Sequence, residues 1–152
     1  MQVVQRFTTP ARPDVVWQIL ADVEHWRDWT PTVMDVKPLG NPGLTVGARY
    51  RVVQPKLLPA IYAVRECVPN RAFTWVQKLP GGAMIGDHRL SSQDGATEVE
   101  LSLRSRGLLA NLVSKMFSEI ISDYVATEAI SLKSRCDNVA LHQDMGSNFD
   151  RR

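Results

Sequence analysis

Two side chains in this sequence are candidates for proton chemistry, a histidine in a strand-like segment and a tyrosine in a helical one. Alternation along residues 88–92 places His88 on the same face as Leu90, so its imidazole could act as a base or hydrogen-bond donor inside the protein. Tyr124 could move a proton from the facing helix. The neighbouring acid Asp87 points to the opposite face and cannot orient His88. The favoured interpretation of His88 is therefore a half-buried histidine satisfied by backbone or water.

No other motif indicates a reaction, a metal or a cofactor. Cys67 and Cys136 lie far apart and outside any C-x-x-C arrangement, which is typical of two reduced thiols. His25, His88 and His142 do not have metal-ligand spacing. The sequence also lacks a glycine-rich phosphate loop and a G-x-S-x-G nucleophile elbow. We therefore expect neither a metal site nor a cofactor, and leave open whether the protein is an enzyme.

Composition and the absence of targeting patterns restrict the expected binding partners and the expected cellular compartment of the protein. The 152 residues carry a formal net charge of +2, which gives no large field to attract nucleic acid. The first ten residues do not resemble a signal peptide, and no apolar stretch reaches the length of a membrane span. These features predict a cytoplasmic protein without nucleic-acid binding or stable membrane insertion. They leave the oligomeric state open.

The elements that must position the candidate residues begin with one strand and two short helices. Residues 2–8 alternate as a strand. Pro13 followed by Asp14 is typical of a first helical turn. A second short helix carries Trp26 and Trp29, whose expected role is structural.

From residue 32 to 106 the helical period disappears and six further strands are predicted between turn clusters. Asp94 and Gly95 are a two-residue hairpin signal, so the strand around His88 should pair antiparallel with the strand that starts at Thr97. Residues 98–106 alternate, with Val99, Leu101, Leu103 and Ser105 on one face and Glu98, Glu100, Ser102, Arg104 and Arg106 on the other. The sheet should therefore have one face in water.

The last part of the chain predicts one continuous helix from about Leu108 to Cys136. Two adjacent apolar rows at i+4 spacing make a stripe too broad to remain exposed, so the sheet should cover it. Residues 137–152 contain few bulky side chains and are predicted to be a frayed or disordered tail. The organisation is a single α+β domain over residues 1–136.

This order of elements resembles the START-like (SRPBCC, helix-grip) superfamily, and several phrases resemble its polyketide cyclase/dehydrase branch. The resemblance covers about residues 3–136. The matching phrases are PDVVWQILADVEHWRDWTPTV at the helices, VGARYRVVQP and FTWV in the sheet, GDHRLSSQDGATEV across the hairpin and ISLKSRC near the end. It implies a helix-grip fold, in which a seven-stranded curved antiparallel sheet wraps around a long C-terminal helix, with two short helices between strands 1 and 2.

The resemblance also implies a cavity between the concave sheet face and the helix. Alternation in the strands and the helical period name the residues that should line it. These are Tyr50, Val52, Tyr62, Val64, Phe73, Trp75, His88, Leu90, Leu101 and Leu103 from the sheet, and Met116, Ile120 and Tyr124 from the helix. The loop from Gln54 to Pro59 sets Leu57 and Leu58 between two prolines, which predicts either a lid over the cavity or permanent core.

Three functions fit this sequence. The first is binding or carriage of a small, largely apolar molecule, such as a polyketide, an isoprenoid or a lipid-like metabolite. The second is a polyketide cyclase, aromatase or dehydratase that uses the same cavity, without metal or nucleotide. The third is a protein or membrane interaction module, which requires an apolar patch outside the cavity. A buried polar pair in the cavity would favour the enzyme.

Overall fold

The computed structural model describes residues 1–149 of the chain. The strands within this range are β1 (Gln2–Thr9), β2 (Asp35–Pro38), β3 (Arg49–Val53), β4 (Ala60–Val68), β5 (Ala72–Leu79), β6 (Gly82–Gln93) and β7 (Ala96–Arg106). The helices are α1 (Pro13–Ala21), a 3-10 helix (Val23–Asp28), α2 (Leu108–Met116) and α3 (Ser118–Phe149). Two short helices thus follow β1, as the sequence predicts.

The strands form one curved antiparallel sheet in the order β1-β7-β6-β5-β4-β3-β2. β6 and β7 are joined at Asp94 and Gly95, whose φ angles of 50° and 80° suit a two-residue type I′ hairpin turn. The register of β4 against β5 shifts between Val64 and Glu66, and Tyr62 and Val64, which precede the shift, are both buried. The predicted helix-grip fold, its strand number and its hairpin are confirmed.

The convex face of the sheet is polar and is held by cross-strand contacts. Arg6 Nε donates to Glu100 Oε2 at 2.7 Å. Burial alone would raise the pKa of Asp87, but hydrogen bonds from Thr74 Oγ1 at 2.7 Å and Arg104 Nε at 3.3 Å hold it below its ordinary value. Asp87 therefore faces away from His88, as alternation predicts.

The second half of α3 packs closely on the sheet and on α1. Its contact row is Ala129, Leu132, Cys136 and Ala140, all buried within the core cluster. Burial raises the pKa of the Cys136 thiol to about 12, which makes it a packing residue and not a reactive one. Two polar contacts tie the same half of the helix to β1: Thr9 Oγ1 donates to Asp137 Oδ1 at 2.7 Å, and Lys133 Nζ donates to the Thr8 carbonyl at 2.8 Å.

The C-terminal helix differs from the sequence prediction at two places. Phe117, with φ −105° and ψ 19°, separates α2 from α3, so the predicted single helix from Leu108 is wrong. Its predicted end at Cys136 is also wrong, because α3 continues to Phe149 and buries Ala140. Residues 150–152 of the predicted tail lie outside the described residues. No helix in the described range combines the length and apolarity needed to cross a membrane.

Two truncations should show which C-terminal residues the folded domain needs for its stability. Removing residues 142–152 should leave the free energy of unfolding within about 0.5 kcal/mol of the full chain, because residues 142–147 are exposed. Removing residues 137–152 should lower it by about 2 kcal/mol or more, because the buried Thr9 hydroxyl loses Asp137 and the core loses Ala140. Urea denaturation checks both values. Equal stability of the two truncated chains would show that the domain ends at Cys136.

Candidate functional site

A cavity of about 490 Å³ lies between the concave face of the sheet and the helices α2 and α3. Its wall is mostly apolar and aromatic, with a few polar side chains. The lining residues are Trp26, Val33, Val52, Gln54, Lys56, Leu57, Leu58, Ala60, Tyr62, Trp75, Gln77, Leu79, Met84, Gly86, His88, Leu101, Ser102, Leu103, Val113, Ser114, Phe117, Ile121, Tyr124, Val125 and Glu128. Leu58 and Phe117 in this wall are 89% and 38% exposed, so the cavity opens to solvent beside them.

Many of the residues predicted from sequence do meet in this cavity. The strands contribute six of them, the helix one and the loop two. They are Val52, Tyr62, Trp75, His88, Leu101 and Leu103 from the sheet, Tyr124 from α3, and Leu57 and Leu58 from the loop. The alternation in the strands therefore identifies the concave face correctly.

Six residues predicted to line the cavity lie elsewhere. Four of them lie on the buried side of the sheet but belong to the close-packed hydrophobic core and not to the cavity wall: Tyr50, Val64, Phe73 and Leu90. Met116 is 71% exposed and Ile120 is half-buried outside the cavity wall. Met116 and Ile120 are therefore corrected: the helices contribute Val113, Phe117, Ile121 and Val125 to the wall, together with Tyr124 and Glu128.

The loop between β3 and β4 forms one side of the opening. Leu58 is 89% exposed and Leu57 is half-buried, so this pair is not permanent core. The Tyr124 hydroxyl donates a hydrogen bond to the Pro55 carbonyl and ties the loop to α3. Burial raises the pKa of Tyr124, which keeps the phenol protonated and able to donate. That the loop acts as a lid stays a prediction.

Aromatic rings of the cavity wall and of the core surround His88. Its imidazole stacks on Phe73, with ring centroids 4.0 Å apart and planes 12° apart. The Trp26 ring centroid lies 5.5 Å from that of His88 and 5.3 Å from that of Trp75. Trp26 Nε1 donates a hydrogen bond to the Leu20 carbonyl at 2.9 Å. Trp26 therefore anchors the 3-10 helix as expected but also lines the cavity, a role that the sequence interpretation missed.

Inside this apolar wall, one acidic side chain faces the histidine. Glu128 Oε1 lies 3.8 Å from His88 Nε2, and both side chains are shielded, with 15% and 6% exposure. Sequence reasoning missed Glu128 because the residue is on a different element, 40 positions along the chain. Its signal was available: Tyr124 and Glu128 are one helical turn apart and so share a face of α3.

Tyr62 completes the polar side of the cavity. Burial, together with the nearby Glu128 carboxylate, raises the pKa of Tyr62 to about 12. Its phenol therefore stays protonated at neutral pH. The ring lies 4.9 Å from Trp75 at an interplanar angle of 31°, so the two form a continuous aromatic surface.

Beside the opening, α2 presents an unusually apolar outer face. Leu108, Leu112 and Met116 are 91%, 57% and 71% exposed. Such a patch is the feature that the interaction-module hypothesis requires. That hypothesis stays a prediction.

Comparisons with known proteins agree with this architecture. The family model described as "Polyketide cyclase / dehydrase and lipid transport" matches residues 1–137. The chain therefore belongs to this family. A search of curated proteins finds no significant match.

Solved structures share the fold at low sequence identity. A protein from Thermus thermophilus has a TM-score of 0.72 and 17% identity, with 90% of this chain and 97% of that chain covered. An aromatase/cyclase from Streptomyces sp. R1128 has a TM-score of 0.70 and 19% identity, with 90% and 93% covered. A START superfamily protein from Mycobacterium smegmatis has a TM-score of 0.65 and 17% identity, with 91% and 98% covered.

Gly86 makes room for the aromatic wall, and this can be tested. A Cβ at this position would lie 2.7 Å from Trp75 Nε1, so Gly86→Ala should displace the indole and lower the free energy of unfolding by about 1–3 kcal/mol. Near-UV circular dichroism and urea denaturation measure the two effects. Gly146→Ala is the control, because its Cβ would meet nothing within 4 Å, and the free energy should stay level or rise by up to about 1 kcal/mol. An unchanged tryptophan signal in Gly86→Ala would contradict the described contact.

Proposed function

Given this family membership, we propose that the chain binds and carries, or senses, one small and largely apolar molecule in the cavity between sheet and helices. The cavity itself is the observation that supports this proposal. Its volume of about 490 Å³ is in the range of small-molecule sites, and its wall combines apolar surface with few polar groups. A polyketide, an isoprenoid or a lipid-like metabolite fits this chemistry.

The way the helix packs supports a cavity that a ligand fills. Val113, Ile121 and Val125 project toward the sheet but leave a void between them and Trp75 on the opposite wall. Native interiors are otherwise close-packed, and an unfilled apolar void of this size forfeits many dispersion contacts. A ligand that occupies the void restores them, which gives an apolar molecule a reason to bind.

The opening supports exchange of the ligand with the surroundings. Leu57, Leu58 and Phe117 stand at the mouth, and the Tyr124–Pro55 hydrogen bond holds the loop to α3. One such bond is worth only about 1 kcal/mol. Breaking this hydrogen bond to move the loop would therefore slow ligand exchange only slightly.

A cyclase or dehydratase using the same cavity is the second candidate, favoured by His88 and Glu128. A base with a carboxylate beside it is a usual arrangement for proton transfer. Two observations keep binding as the first choice. The 3.8 Å separation is longer than a hydrogen bond, and the Tyr124 hydroxyl is engaged at the Pro55 carbonyl. The variant His88→Gln distinguishes the two functions. If it keeps the ligand affinity but loses catalytic turnover, the enzyme is favoured.

Filling the cavity from the helix side should weaken binding. Ile121 is 8% exposed and lies in the wall, so Ile121→Trp should weaken binding of the neutral fluorescent probe N-phenyl-1-naphthylamine by at least about tenfold. Fluorescence titration measures the affinity, which for the unchanged chain should be micromolar, roughly −8 kcal/mol.

Met116→Trp provides the matched control. Met116 lies outside the wall and is 71% exposed, so the same new side chain should leave probe affinity unchanged. Far-UV circular dichroism confirms that both variants fold. Undiminished probe binding by a folded Ile121→Trp variant would show that the probe sits elsewhere, and the proposed function would then fail.

A further inference from the structure

The facing pair His88 and Glu128 leaves polar groups that the protein itself does not satisfy. Their closest atoms, Nε2 and Oε1, are 3.8 Å apart, beyond the range of about 2.7–3.2 Å for a direct hydrogen bond. His88 Nδ1 is buried without a hydrogen-bond partner among the described residues. Shielded polar groups are normally paired, and His88 Nε2 and Glu128 Oε1 face each other in the cavity without a direct hydrogen bond, so a ligand in the cavity is the partner that both atoms lack.

The surroundings decide which nitrogen of His88 carries the proton. A neutral imidazole has one N–H donor and one acceptor nitrogen. A buried N–H without an acceptor is rare, because the desolvated donor is costly to leave unpaired. Nδ1 has no acceptor near it, whereas Nε2 faces the Glu128 carboxylate. The proton therefore belongs on Nε2, which makes His88 a donor toward the cavity beside an acceptor.

From this donor and acceptor we infer that the ligand carries a hydroxyl group, alcoholic or phenolic, on its apolar body, and that this hydroxyl bridges His88 Nε2 and Glu128 Oε1. The inference rests on the proposed binding function and specifies its ligand class. A hydroxyl oxygen about 2.8 Å from both atoms accepts from the imidazole N–H and donates to the carboxylate. The two facing atoms, His88 Nε2 and Glu128 Oε1, are then both paired by one ligand atom, and Nδ1 stays the acceptor nitrogen of the imidazole.

Other polar groups fit the pair less well. A ketone or ether oxygen can accept from His88 but has no proton to give to Glu128. A ligand carboxylate would place a second negative charge beside Glu128 in a shielded site, where repulsion is weakly screened. An ammonium group could donate to Glu128 but would leave the His88 N–H without an acceptor. The hydroxyl is the group that serves both.

The aromatic surface beside the pair favours a flat ligand body. Tyr62 and Trp75 form a wall with ring centroids 4.9 Å apart, and both residues line the same cavity as Glu128. The Trp75 and His88 ring centroids are 5.7 Å apart, so a fused aromatic ring on this wall can carry a hydroxyl that reaches the pair. Naphthalene derivatives that differ in a single substituent are therefore suitable probes.

Three probes with one skeleton test the inference: 2-naphthol, 2-methoxynaphthalene and 2-naphthoate. Displacement of N-phenyl-1-naphthylamine from the full chain gives their affinities. We expect 2-naphthol to bind at least about tenfold more tightly than 2-methoxynaphthalene, because a hydrogen bond to a charged group is gained, and 2-naphthoate to bind most weakly.

Variants at Glu128 assign the preference to the pair. Glu128→Leu should make 2-naphthol and 2-methoxynaphthalene bind within about twofold of each other and should tighten 2-naphthoate several-fold, since the repelling charge is gone. Glu119→Leu is the matched control, because Glu119 is exposed on α3 and outside the cavity wall, and it should keep the order found for the unchanged chain.

The outcomes separate this inference from the function on which it rests. Equal affinity of 2-naphthol and 2-methoxynaphthalene for the unchanged chain would overturn the hydroxyl assignment and leave apolar binding standing. A preference for 2-naphthoate would overturn it as well. Failure of all three probes and of N-phenyl-1-naphthylamine to bind would overturn the proposed function, and the hydroxyl assignment with it.

Discussion

The contact between the second half of α3 and β1 is the constraint on which the rest of the structure depends. Ala129 and Ala140 are small enough to let the helix approach the sheet closely, and Leu132 and Cys136 fill the space between them. Thr9 and Asp137 add a hydrogen bond that fixes the helix against the strand. The second half of α3 is thus fixed against the edge strand β1, and we call this contact the clamp.

This clamp leaves the other half of the helix to span a curved surface that it cannot fill. Ile121 and Val125 reach into the concavity without meeting the opposite wall, and the 490 Å³ cavity remains. The same geometry carries Glu128, one residue before the clamp begins, to 3.8 Å from His88 on β6. Core packing and the polar pair therefore share one cause, since a shift of α3 along the sheet would alter both.

The sequence predicted well what depends on local pattern. Period-2 alternation placed Tyr62, Trp75 and Leu101 on the concave face, and the Asp94–Gly95 turn set the register of β6 against β7. Such features are encoded within a few residues of the chain. They needed no knowledge of how the elements pack together.

What failed depends on tertiary packing. The apolar rows run through Phe117 without a proline or glycine, so nothing local marks the end of α2 there. Met116 and Ile121 are both apolar, and only the packing of α2 and α3 against the sheet places Ile121 in the cavity wall and leaves Met116 exposed. Glu128 was missed for the same reason, because its partner His88 is distant in sequence and close only after folding.

Occupancy of the cavity in the protein as it is made in cells is the central claim, and native mass spectrometry of the purified full chain tests it most directly. The account predicts a second species, heavier by the mass of one small molecule, that converts to the bare chain on gentle collisional activation. A bare chain alone, both as purified and after incubation with a lipid extract of the host cells, would contradict it.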